Sequence, residues 1–363
     1  MNSRNGRINW SAKAVILIIA LLCSFPSQAQ ENEGKKRSTA KENFMKVWDF
    51  AVDSYYFIYN LFNECDSAYV TPGMYYMSLN PTYTHSYEHY NISTSDGDQR
   101  VSIAPTNRDK LGLYIGWSWI SVGYSFDLHK TRPQTDFNVS LYSARAGLDL
   151  FYRKSSGGFR INGLKGFYEN GDESTPLRDY DTDFDGLSLQ QLGLNVYYIF
   201  NKKFSLPAAY SQSAQQTRSA GSFILGVGYN YQKFLFDKSV LDTRIQEQLK
   251  PGLLDDIKYH DLGINFGYSY NWVFAKNFLA NLTLTPSVGY KNSSFKMPDS
   301  KTLLSSINFD FITRASLTYN DGKYFAGASL VSHTFSYRQE HISTINGFGA
   351  LKVFFGFNFW REK

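Results

Sequence analysis

The chain has 363 residues, 37 Lys and Arg against 32 Asp and Glu, two cysteines, and an aromatic share of 17% led by 29 Phe and 27 Tyr. Subtracting Arg4, Arg7 and Lys13 of an N-terminal leader from the net charge of +5 leaves +2, too weak a field to mark nucleic acid or an acidic substrate as partner. Beyond the leader no run of about 18 apolar residues occurs, which excludes a transmembrane helix but not a membrane-spanning sheet.

The first residues read as a secretory leader. Arg4, Arg7 and Lys13 form a basic opening, 14–25 is apolar, and Ser27-Gln28-Ala29 supplies small residues for cleavage near Ala29. The apolar run, about 12 residues, falls short of the roughly 20 that a spanning helix needs. With 1–29 removed, Cys65 is the single thiol, so no intrachain disulfide is expected. Residues 30–65 read as a periplasmic linker followed by a helix over about 40–63. Thr39 and Glu42 make a capping box, and Phe44, Val47, Trp48, Ala51, Tyr55, Ile58, Tyr59 and Phe62 recur on one face. Such an amphipathic helix packs on the end of a barrel, lies on a membrane surface, or enters a lumen.

From residue 66 to the C-terminus the chain reads as strands. Candidates are 68–79, 82–93, 110–117, 118–128, 136–143, 145–154, 158–168, 187–200, 221–236, 258–274, 278–291, 304–319, 324–337 and 345–360. The clearest is 262–274. Its even positions are Leu262, Ile264, Phe266, Tyr268, Tyr270, Trp272 and Phe274, and its odd positions are Gly263, Asn265, Gly267, Ser269, Asn271 and Val273. Successive strand residues point to opposite faces, so one side is long, apolar and aromatic while the other is small and polar. Short joints at 275–277 and 320–323 alternate with long polar stretches at 169–186, 237–257 and 292–303. That is the turn and loop asymmetry of outer-membrane barrels. The segment 201–220, which contains Pro207, fits no spanning strand. The expected fold is all-β: an antiparallel transmembrane β-barrel of about 12 strands, within a range of about 10–14, with an N-terminal amphipathic helix.

Three stretches carry a family resemblance: Phe62-Asn63-Glu64-Cys65-Asp66-Ser67-Ala68-Tyr69-Val70, residues 197–205 from Tyr197 to Ser205, and residues 216–223 from Gln216 to Phe223. They resemble an uncharacterised domain-of-unknown-function family of Bacteroidetes-type Gram-negative bacteria, regarded as outer-membrane β-barrels. The resemblance runs from about Asp66 to the C-terminus. It implies location and fold and brings no catalytic residue. One departure is the tail Arg361-Glu362-Lys363 after Phe359-Trp360, where such proteins end on an aromatic.

Chemistry-bearing candidates are few. Asp181, Asp183 and Asp185 before Gly186 match the first half of a calcium loop, so the loop 179–186 is the candidate Ca2+ site; Leu192 stands where the closing Glu belongs. A solvated acidic loop explains the same residues. His85 and His89 on a strand stand about 13 Å apart at about 3.3 Å per residue, too far to share a metal. Ser332 and His333, with Glu340 and His341 beyond, are the nearest approach to a hydrolase site, but adjacent strand residues face opposite ways. Inside the expected barrel, Asp149, Arg153, Arg160, Asp310, Arg314 and Lys352 form a polar cluster, and enclosed charges must find partners. A barrel of about 12 strands is near the size that side chains and a plug can fill, which favours an ion-paired, occluded lumen over an open pore. The expected protein is an integral outer-membrane barrel with structural, binding or narrow transport duty. Its expected partners are membrane lipid, lipopolysaccharide and the barrel-assembly machinery, with no nucleic acid. The alternatives are an outer-membrane hydrolase with a site at the extracellular rim, and a soluble secreted barrel binding an apolar ligand.

Overall fold

The structure is a computed structural model and describes residues 49–50, 52–54, 56, 59 and 64–361, apart from 107, 118–119, 129–133, 170–174, 178–179, 297–300 and 339–341. The leader, the linker and most of the helix expected over 40–63 lie outside the described residues. Cys65–Lys363 is one compact unit.

Its first strands are β1 (Val70–Pro72), β2 (Tyr75–Thr94), β3 (Arg100–Pro105), β4 (Arg108–Trp117), β5 (Ile120–Asp127) and β6 (Gln134–Tyr142). Next come β7 (Ala146–Ser156), β8 (Phe159–Lys165), β9 (Thr182–Phe184), β10 (Leu187–Ile199), helix α1 (Leu206–Tyr210), β11 (Ala214–Gln216) and β12 (Ala220–Phe236). The last five are β13 (Ile257–Ala275), β14 (Phe278–Lys296), β15 (Lys301–Asn320), β16 (Tyr324–Arg338) and β17 (Ile342–Arg361).

All ladders are antiparallel. The wall runs β6-β7-β10-β12-β13-β14-β15-β16-β17-β2-β4-β5. Of the 15 strands in this sheet, β3, β8 and β9 branch from the upper part of β2, which leaves twelve in the wall. The sheet curls far enough that β7 reaches two non-neighbouring strands across the interior. Asp149 meets Arg314 of β15 at 2.6 Å, and Arg153 meets Glu88 of β2 at 2.8 Å. Between β5 and β6 no ladder is formed among the described residues. The all-β, antiparallel, twelve-strand expectation stands.

Two local expectations are corrected, and the segment that fitted no spanning strand finds its place. Segments 68–79 and 82–93 are not two separate strands of the wall, because 75–79 and all of 82–93 lie in β2, which passes straight through Pro81. Proline lacks an N–H, and the β17 ladder has no pairing opposite Pro81 while Thr82 and Leu79 on either side are paired. Segment 158–168 leaves the wall: β8 pairs β3 and β9 above it. Finally, 201–220 is an inward fold. Ser205 caps α1 by accepting from the Ala208 N–H, Pro207 sits in its first turn, and β11 returns to pair β1.

Burial inverts ordinary protein logic. Along β13, Asp261, Asn265, Ser269 and Asn271 are buried, whereas Leu262, Ile264, Phe266, Tyr268, Tyr270 and Trp272 are 44–63% exposed. The inversion has an edge. Higher on the same interior face Ile257 and Tyr259 are buried, and the outward residues there are Lys258 and His260. β10 repeats the switch: Leu187 and Leu189 are buried inside, then Gln191 takes over, and outside Gln190 yields to Leu194 and Val196. β2 does the same between Tyr90 and Glu88. The edge follows the ladder register, since Leu189 pairs Phe234 and Phe234 pairs Ile257. Above it the protein is built as in water, apolar inside. Below it the wall is built for an apolar surrounding.

Candidate functional site

The enclosed interior is where the charges converge. Arg314 donates to Asp149, and its guanidinium lies over the Tyr197 ring at 5.4 Å. Arg153, paired with Glu88, lies over the Phe348 ring at 5.0 Å, and Tyr90 Oη donates to Glu88 Oε2 at 2.8 Å. Lys291, fully buried, stands between two carboxylates, 3.1 Å from Asp310 and 3.8 Å from Asp261. Its Nζ also donates to the Ser336 carbonyl at 2.7 Å, and the Ser336 N–H donates to Asp310. A void of about 30 Å³ lies among Asp149, Asn195, Asn230, Asp261, Asp310 and His333. At about 10–15 Å³ per water centre that is room for about two waters.

Both ends of this interior are filled. At the end bearing the short turns, α1 and its flanks enter the lumen. Tyr210 Oη donates to Asn281 Oδ1 at 2.7 Å, and Asn271 Nδ2 donates to the Ser205 carbonyl and to Gln216 Oε1. Asn320 Nδ2 donates to the Gln212 carbonyl. At the other end an apolar core closes the opening, with Tyr90, Val101, Ile103, Phe159, Phe184 and Ile257 joined by Ile245, Leu253 and Leu254 from the loop between β12 and β13. Gln99 stitches that loop down by donating to the Gln248 carbonyl at 2.7 Å and accepting from the Lys250 N–H. Lys250 reaches Asp98 at 2.7 Å. Asp96, in the same turn, has its carboxyl lowered by the Thr94 hydroxyl, the Asp98 N–H and the charge of Lys250.

The structure gathers some of the sequence candidates and separates others. Asp149, Arg153, Asp310 and Arg314 face the interior and form the pairs above. Lys352 stands half-buried on the inward face of β17, opposite Thr84 and Ser329. Arg160 is displaced from the lumen. It lies on β8, above the wall, and meets Asp181 at 2.9 Å and Asp183 at 3.6 Å. Two carboxylates of the calcium half-loop thus face a guanidinium. Asp185 turns elsewhere and accepts from the Gly158 N–H. Among the described residues no His, Cys, Asp and Glu cluster has the geometry of a metal site.

The hydrolase candidates separate as well. His333 is packed inside among the rings of Phe151, Phe335 and Phe348, and Ser332 points the other way; His341 and Glu340 lie outside the described residues. His85 binds Asp109 at 2.7 Å, which also accepts from Tyr83 Oη, all on the outer face. Glu88, Asp261 and Lys291 carry the interior yet were not singled out from sequence. Parity was the available signal: Asp261 continues the Gly263, Asn265 face of β13, and Glu88 continues Thr82, Thr84 and Ser86 on β2.

Strand pairing, outward apolar face and polar interior together define an inside-out, antiparallel β-barrel wall. Residues 64–359 match the family described as "Domain of unknown function (DUF4421)", and the chain belongs to it. No curated protein matches the chain. Among solved structures, it is similar to the outer membrane protease OmpT of Escherichia coli, with 8% identity over 78% of this chain and 97% of that one, at a TM-score of 0.37. It is also similar to the β domain of the Bordetella autotransporter BrkA (12% identity, 78% and 99% covered, TM-score 0.33). A third is the attachment invasion locus protein Ail of Yersinia pestis (9% identity, 78% and 100% covered, TM-score 0.24).

Proposed function

We propose that this chain is an integral outer-membrane protein whose wall crosses the bilayer and whose sealed interior makes it a structural or lipid-binding element, neither an open pore nor a hydrolase. The observation that carries this reading is the inversion within single strands. A soluble sheet has no reason to exchange its apolar and polar faces midway along β13, β10 and β2 at one register level. A wall that leaves water and enters hydrocarbon does.

The dimensions support it. From Leu262 to Trp272 the outward apolar run is ten steps of about 3.3 Å, and a tilt of about 35–45° foreshortens it to about 25 Å. That is the height of the apolar band of outer-membrane barrels. Short turns at one end and long loops at the other orient the α1 end towards the periplasm. Two cross-lumen ion pairs, Arg314 with Asp149 and Arg153 with Glu88, and two end plugs support occlusion, and His333 is packed among rings rather than set beside Ser332.

The test is purification of the mature chain with and without surfactant, then reconstitution into planar bilayers. The reading expects solubility in detergent only, slower or faster gel migration when unheated, and no steady conductance. A monodisperse protein in plain buffer refutes the membrane assignment; steady ohmic conductance refutes the occluded lumen.

A further inference from the structure

Where the wall changes character, its outer face carries cations. Lys154 on β7, Lys233 on β12 and Lys258 on β13 all point outward and fall on one register row: Lys154 pairs Gln190, Gln190 pairs Lys233, and Lys233 pairs Lys258. With strands about 4.8 Å apart, the row spans about 14 Å. Lys233 and Lys258 stand directly opposite one another, an arrangement of like charges that destabilises a ladder. No carboxylate among the described residues pairs with any of the three; Lys258 has only the Tyr231 ring, 5.6 Å away. One step below lie Tyr152, Tyr231 and His260, the last bonded to Tyr229 Oη at 2.8 Å, and below those begins the apolar belt of Leu150, Leu194 and Leu262.

We propose that this row binds the phosphate group of an anionic lipid in the leaflet that abuts it, its acyl chains lying along the apolar belt and its headgroup bridging the lysines. The inference rests on the reading that the wall spans a bilayer. It names the partner from three coincident features: cations that meet no carboxylate among the described residues, an aromatic shelf beneath them, and a position on the line where the interior turns from polar to apolar. A soluble anion would satisfy the charge but would make no use of the belt directly below.

The experiment uses the full mature protein inserted in phosphatidylcholine vesicles, titrated with diphosphorylated lipid A and read by quenching from a labelled lipid. The wild type is expected to enrich lipid A at its surface. The Lys154→Gln, Lys233→Gln, Lys258→Gln triple variant is expected to bind it about 100-fold more weakly, at about one basic-residue contribution per lysine. K276Q, at the opposite rim, is expected to bind as wild type. If the triple variant fails to insert, Lys233→Gln and K233R replace it, the first weakening binding several-fold and the second retaining it. Equal binding by an inserted triple or Lys233→Gln variant overturns the proposal while leaving the membrane reading intact. Competition by inorganic phosphate at matched concentration overturns the lipid as its source. Failure of the wild type to enter vesicles at all removes the membrane reading itself.

Discussion

Replacing Lys291 with methionine tests the packing of the interior most directly. Lys291 faces Asp310 at 3.1 Å and Asp261 at 3.8 Å, and all three side chains are nearly or wholly buried. At an effective dielectric of about 20 the two attractions are about 5 and about 4 kcal/mol before desolvation, and desolvation offsets much of that. What matters is the residue of the cut: methionine conserves the volume and leaves two buried carboxylates without a counter-charge. Removal of one partner from a buried pair costs about 3–5 kcal/mol. Lys291→Met is therefore expected to lower unfolding free energy by about 3–5 kcal/mol, measured by urea titration of tryptophan fluorescence in vesicles. Adding Asp310→Asn should recover a substantial part, and more than adding Asp261→Asn, because Asp310 lies nearer and also accepts from the Ser336 N–H. A Lys291→Met protein within about 1 kcal/mol of wild type, or one that neither Asn variant rescues, refutes the triad as a brace.

Other expectations follow from particular contacts. Ile264→Arg, on the outward face of β13, should cost about 2–4 kcal/mol in vesicles if that face meets hydrocarbon; a cost near zero is the result for a watered surface. Gly147 lies under the Tyr197 ring, whose atoms come within 2.2 Å of where a Cβ would stand, so Gly147→Ala should displace Tyr197 from Arg314 and cost about 1–3 kcal/mol. At the β15–β16 turn the Asp321 carboxylate accepts from the Tyr324 and Lys323 N–H groups, and these bonds hold its pKa below the ordinary carboxylate range. A depressed folded-state pKa gives stability that is present above the unfolded value of about 3.9 and lost as pH falls through the folded one. Asp321→Ala should thus cost about 1 kcal/mol at neutral pH, a difference that closes at the acid end of a pH series of unfolding midpoints; a gap that persists there refutes the role.

The wall was legible in the sequence because a strand's period of two is unambiguous when one face is aromatic and the other is Gly, Ser and Asn, as in β13. Strand number was legible to within two, because two errors of the same sign raised the fourteen candidate stretches above the twelve strands of the wall. Splitting β2 at Pro81 added a strand, and counting 158–168 in the wall added another. Pro81 misled because its cost to a ladder is confined to one neighbour's pairing, which β17 simply omits. Segment 201–220 was illegible for a different reason. Its anchors to Asn271, Asn281 and Asn320 span 55 to 108 residues of sequence, and no local propensity reports such partners. Arg160 was misplaced because parity states which face a residue takes, not whether its strand remains in the wall.

The cations of the lumen act as cross-braces. Arg314 leaves β15 for β7, and Arg153 leaves β7 for β2, so each pair ties strands that share no ladder. Pairs between ladder neighbours could persist around the rim of a water-filled channel. Pairs across the interior cannot, because widening the lumen enough to admit a solute parts both at once. Water entering an opened lumen would rehydrate the freed charges, so the barrier is the lost pairing and stacking on Tyr197 and Phe348, not bare burial. It is added to the release of α1 at one end and of the Leu253, Leu254 core at the other. Three seals of unlike chemistry in series are what the proposed closed wall would need, and each can be cut separately.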